Sequence, residues 1–124
     1  MKSKLMKTKI ILHNSVSLDS SFIGFTPDME LHYEVVNFYR AEGYMAGSVT
    51  ARTGLDMFGT AGEKEAGADL IKPDKDPSLS YWIIPDSKGI LNGMLHNFRR
   101  FEFCRDVIIL ASATTPADYL NYLK

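Results

Sequence analysis

Three stretches place small polar residues directly after apolar runs, and they hold the groups that could do chemistry. Ser17 and Asp19 lie in Ser17-Leu18-Asp19. Gly47, Ser48, Thr50 and Arg52 lie in Gly47-Ser48-Val49-Thr50-Ala51-Arg52. Asp86 and Ser87 open Asp86-Ser87-Lys88-Gly89. Hydroxyls, a glycine that admits close backbone approach and an arginine that can meet a phosphate bidentately would hold a phosphorylated ligand without a metal. Asp19 is a candidate proton donor, with an ordered water as the alternative. Taken singly, Ser, Thr and Asp are also turn formers that satisfy local backbone groups. Both readings stay open on residue types alone.

For these groups to meet, the elements before them must end side by side. The run Ile10-Ile11-Leu12 within Lys9–Phe25 reads as a first central strand that turns polar at its C-terminal end. Pro27–Glu42 reads as an amphipathic helix. Thr26 is available as its cap, Leu31, Val35 and Phe38 recur at helical spacing, and Gly43 follows as a stop. Tyr44–Thr50 reads as a second strand, so the first forty to fifty residues form a βαβ unit with parallel strands. Leu79–Pro85 predicts a third strand, and Asp106–Ser112, a continuous apolar run, a fourth that is covered on both faces. In a parallel sheet the C-terminal strand ends share one edge, where α/β proteins bind ligands.

The rest is less regular. Glycines and prolines punctuate Arg52–Ser78, and a helix over Ala61–Ile71 is weakened by Gly62 and Gly67. Gly93–Arg100 predicts one or two helical turns. Thr115-Pro116-Ala117-Asp118 predicts the start of a last helix, with Thr115 as cap. That helix reaches Lys124 with no exit signal, which suggests a chain that is part of a longer domain.

Composition bounds the classes. A length of 124 residues corresponds to a single domain, 1–124, able to bury roughly two thirds of its unfolded surface. The hydrophobic fraction is 45% and the net charge −1, so there is no basic footprint for nucleic acid. The apolar runs are far too short to span a bilayer. Lys2, Lys4, Lys7 and Lys9 interrupt any leader-like apolar core. The single cysteine, Cys104, reads as an inert buried thiol and fits a cytoplasmic setting. His13, His32 and His96 lack metal-ligand spacing, and no G-x-G-x-x-G, P-loop or G-x-S-x-G motif occurs. Arg99-Arg100-Phe101-Glu102-Phe103 reads as a solvated turn flanked by core aromatics, and Trp82 as core.

The order of these motifs resembles the dihydrofolate-reductase-like superfamily, and most nearly the RibD C-terminal reductase domain of riboflavin biosynthesis. Ser17-Leu18-Asp19 is similar to that family's S-L-D-G, with Ser20 where the family has Gly. Gly47–Arg52 is similar to its G-x-x-T-x-R, and Asp86–Gly89 to its D-S-x-G turn. Gly54 stands where the riboflavin reductases tend to have Asp. The resemblance implies an α/β, three-layer fold with a mostly parallel central sheet, here incomplete at its C-terminal side. It implies an NADPH-dependent reductase acting on a phosphoribosylamino-pyrimidine. Ser17, Gly47, Ser48, Thr50, Arg52, Asp86 and Ser87 would bind the cofactor, and Asp19 would sit toward the nicotinamide or substrate. The alternative is a non-catalytic or truncated α/β module that binds a phosphorylated small molecule or a partner chain, a second copy included. Should the chain end at Lys124, the first or the fourth strand would be left with an unpaired edge, which predicts pairing with a second copy, as a homodimer.

Overall fold

The computed structural model describes residues 6–124; the lysine spacing at Lys2 and Lys4 lies outside them. The chain divides into two compact units, residues 1–39 and 40–124.

Among the described residues of the first unit, helix α1 (Met29–Phe38) is the one regular element. It starts two residues later than Pro27, because Asp28 and not Thr26 is the cap: its Oδ1 accepts the Leu31 N–H at 3.0 Å. It ends before Glu42, and the chain turns at Arg40 with φ 46°. The expected first strand is absent. Ile10 and Leu12 are 81% and 90% exposed, and residues 6–17 form no strand. A strand exists only as a member of a ladder, and among the described residues the Ile10-Ile11-Leu12 backbone has no ladder partner.

The second unit holds a three-stranded sheet in the order β1 (Gly43–Met45), β2 (Ser80–Pro85), β3 (Cys104–Leu110), with both pairings parallel. Helix α2 (Ser48–Phe58) crosses from β1 to β2, and the short helix α3 (Leu95–Arg99) precedes β3. Tyr44–Thr50 is therefore strand only as far as Met45; Ser48, Val49 and Thr50 are helical. The reason is the spacing of Ala51, Leu55 and Phe58, which gives one helical face. Ala51 and Leu55 are buried on it, and Gly59 ends the helix at φ 71°.

Ala51, Leu55, Ile84, Leu91 and Phe98 form the buried core, with Trp82, Val107 and Ile109 against it. Alternation along the strands sends Ile108 and Leu110 to the other face, where they are 41% and 45% exposed. The run over 106–112 thus has one well-covered face rather than two. Trp82 centres an aromatic group with Tyr44, Phe98, Phe101 and Phe103, ring centroids 5.6–6.0 Å from its own.

The irregular segment is tied down by side chains rather than by a helix. Residues 52–58 of it belong to α2, and beyond them only Gly67–Leu70 is helical, as a single 3-10 turn. Arg100 bridges Asp69 at 2.6 Å and Glu63 at 2.8 Å, while Arg99 donates to the Asp69 and Ile71 carbonyls. The arginine pair expected in a solvated turn is a clamp. Lys75 donates to the carbonyls of Arg99, Phe101 and Cys104 at 2.5–2.7 Å. The last helix, α4 (Ala117–Tyr122), has Pro116 at its cap position. Thr115 Oγ1 instead accepts the Ser112 N–H at 2.9 Å. The helix is held by Tyr119, 1% exposed, and by the Tyr122 hydroxyl, which accepts the Leu95 N–H at 3.1 Å.

Candidate functional site

Parallel pairing puts the C-terminal ends of β1, β2 and β3 on one edge of the second unit. Ala46 donates to the Ile83 carbonyl at 3.2 Å and Asp86 donates to that of Leu110 at 3.0 Å, so the three exits lie in register. This rim carries Gly47 and Ser48, then Asp86 and Ser87, then Ser112 and Thr114.

The feature of the rim with most chemical capacity is the start of α2. Gly47 occupies the cap position with φ −66° and ψ 156°, and no side chain caps the helix. The first-turn amides of any helix lack intrahelical acceptors and carry the positive end of the dipole. No acidic residue stands in this first turn to offset it. A Cβ added at Gly47 would meet nothing within 4 Å, so the approach is open. Ser48 is half-buried and Thr50 exposed beside it. Such a helix start suits an anionic oxygen cluster, a phosphate above all.

Asp86 has a different task. Its side chain is 1% exposed and accepts the backbone N–H groups of Gly89, Ile90 and Leu91 at 3.0–3.1 Å. Those bonds fold the turn after β2 and leave the carboxylate facing inward. Burial first, and then this carboxylate beside it, push the Tyr119 phenol well above its ordinary range. Ser87, next in the turn, is exposed on the rim.

Arg52 lies one turn into α2, away from the helix start. Its Nε pairs with Asp56 at 3.3 Å and its Nη1 lies 3.4 Å from Met94 Sδ. It is engaged along the helix rather than presented to a phosphate at Gly47.

Ser17 and Asp19 belong to the first unit, where they close a turn on themselves. Ser17 N–H donates to the Ser21 carbonyl at 3.0 Å, and Ser20 N–H to the Ser17 carbonyl at 2.8 Å. The Ser17 hydroxyl donates to Asp19 Oδ1, which also accepts the Ser21 N–H at 3.3 Å. The Ser17 hydroxyl, followed by the Ser21 amide, holds the Asp19 carboxyl below its ordinary value. A carboxylate so held is ionised at neutral pH and is poorly suited to donate a proton. Ser20 adopts φ 65°, the left-handed conformation that glycine takes without cost.

The structure thus brings Gly47, Ser48, Thr50, Asp86 and Ser87 to one rim, turns Arg52 along its helix, and holds Ser17 and Asp19 in a separate turn. Sequence reasoning missed that the Gly47 stretch is a helix start. The signal was there, in the Ala51, Leu55, Phe58 spacing closed by Gly59. No helix is long and apolar enough to cross a membrane among the described residues. No protein-family model, curated protein or solved structure matches this chain.

Proposed function

We propose that the chain contributes the cofactor-phosphate-binding part of an NADPH-dependent reductase of the kind its motifs resemble, the dihydrofolate-reductase-like RibD domains. The observation that carries this reading is the uncapped, acid-free start of α2 at Gly47–Thr50, on the C-terminal rim of a parallel sheet. Gly47, Ser48 and Thr50 would hold the phosphate-bearing part of the dinucleotide through backbone amides and hydroxyls. Asp86 would act by fixing the turn that presents Ser87. NADPH itself supplies the hydride; the chain's share is to bind and orient it. The 5-amino-6-(5-phosphoribosylamino)uracil class of substrate follows from the resemblance, and a homodimer is part of the same proposal.

A binding module that takes a phosphorylated small molecule without turning it over is the second reading. The closure of Ser17 and Asp19 into a turn of their own favours it, since Asp19 is then engaged with Ser17 and Ser21 and the reductase reading is left with an ordered water as its proton donor.

Titration of the protein with NADPH, followed by nicotinamide emission, tests the first reading. Saturable enhancement that is lost in Ser48→Asp supports it. An absence of binding at millimolar NADPH overturns it. Binding of free phosphate or phosphoribosyl compounds, with no response to NADPH, selects the second. Sedimentation as a monomer at micromolar concentration removes the homodimer.

A further inference from the structure

The opposite end of the sheet offers a second, unrelated site. The loop over residues 72–77 lies beside the starts of β2 and β3 and borders a half-open cleft of about 240 Å3, lined by Lys72, Pro73, Asp74, Pro77, Tyr81 and Arg105 among others. Strand register changes here: Ser80 pairs with Cys104 but Trp82 with Val107, so β3 carries one extra residue opposite Tyr81. Bulges of this kind re-aim side chains. The extra residue gives both Arg105 and Asp106 a place at this edge.

Their charges are not equivalent. Asp106 is committed to Arg99 at 3.0 Å. Lys75, also at the cleft, has three N–H donors and uses them on three carbonyls. Arg105 is held differently. Its guanidinium lies 4.6 Å over the Tyr81 ring and donates one hydrogen bond, to the Pro77 carbonyl at 3.0 Å. An arginine has five N–H donors, so the head is oriented while most of its donors are uncommitted. Among the described residues no carboxylate lies within ion-pair distance of it. Lys72 adds an exposed positive charge and Asp74 a negative one, and the Asp76 carboxylate is near enough to Arg105 to feel its charge, so what distinguishes the place is the free donors of Arg105 and not a surplus of positive charge.

We propose that this cleft binds a small organic anion, its carboxylate or phosphate head on the Arg105 guanidinium with Lys72 alongside, and its carbon body against Pro73 and Pro77. A fixed guanidinium presenting parallel donors is the arrangement that recognises either head group. The site is independent of the reductase reading and lies at the other end of the strands from Gly47.

The test is a titration of the full chain with inorganic phosphate and, separately, with benzoate, read by amide chemical shifts. Saturable shifts at Asp74, Tyr81 and Arg105 are expected with at least one probe. The dissociation constant should rise about tenfold in Arg105→Gln and about threefold in Lys72→Gln, and stay unchanged in Ser48→Asp. Phosphate alone shifting these amides assigns a phosphate head, benzoate alone a carboxylate. Arg105→Gln also removes the tie to Pro77, so Lys72→Gln, which has no bonded partner to lose, decides if the first variant loosens the loop. No saturable shift with either probe, shifts confined to Gly47–Thr50, or an affinity unchanged in both charge variants overturns the proposal.

Discussion

Gly89 and Tyr119 are in such close contact that a Cβ on the glycine would lie 2.8 Å from two ring carbons of the tyrosine. Gly89 also has φ 72°, so the position excludes side chains on two counts. Gly89→Ala should destabilise the protein by at least about 2 kcal/mol, from left-handed strain plus overpacking. Thermal unfolding followed by circular dichroism reads this directly. An unchanged midpoint would mean that α4 does not pack on this turn.

Asp86 stabilises the same turn from the inside. Asp86→Ala removes the acceptor of three N–H groups at once, and a cost of about 3 kcal/mol is expected, since buried unpaired donors lose their full solvation. Asp86→Asn keeps one carbonyl acceptor and should lose less. Urea unfolding of both variants ranks them, and equal losses would refute the geometry.

Ser48→Asp should separate stability from binding. A carboxylate in the first turn of α2 offsets the helix dipole and should stabilise by roughly 0.5 kcal/mol. The same charge repels a phosphate from Gly47–Thr50. The expected outcome is a protein that melts higher and no longer binds NADPH. Retained binding would place the cofactor elsewhere.

His32 predicts a pH response in the first unit. Its ring centroid lies 4.5 Å from that of His13, and its Nδ1 is 2.7 Å from the Ser15 hydroxyl. Burial, and then the neighbouring His13, lower its pKa below the ordinary 6.5. A lowered folded pKa means that the fold favours the neutral ring. This contribution is fully present above pH 6.5 and fades as pH falls through the folded value. Proton NMR of the His32 ring should titrate below 6.5 and move up in His13→Ala. A titration at or above 6.5 would contradict the contact.

Asp69 reports on the arginine clamp. The Arg100 guanidinium, followed by the Ala66 amide, holds its carboxyl at about 2. The stabilisation is present above the ordinary 3.8 and is lost as pH falls toward 2. Arg100→Met should raise the Asp69 value toward normal and loosen residues 61–71, seen as faster amide exchange in that segment. Exchange that does not change would assign the clamp to Arg99 alone.

What could be read from residues alone follows from how local each signal is. The runs over 79–85 and 106–112 declared strands because apolar, β-branched residues suit a sheet whatever their neighbours. Helix α1 was legible from its 3–4 spacing, although Asp28 outcompeted Thr26 as cap. Gly47–Thr50 misled because Val49 and Thr50 favour strands, while the face that decided the matter lay further on, at Ala51 and Leu55. Ile10–Leu12 misled for a deeper reason: apolar residues request a ladder but do not supply the second strand. At the rim, Gly47 and Ser48 were identified as residues but not as a helix start. The Arg105 cleft depends on a register change between β2 and β3, which no local pattern encodes.

Trp82 is the sole tryptophan and sits among four aromatic rings in the second unit's sheet. Its emission is therefore a built-in gauge of whether that stack is intact. Loosening of Phe98, Phe101 or Phe103 will shift the spectrum before the sheet itself comes apart, which gives this protein an optical signature of core packing distinct from its backbone signal.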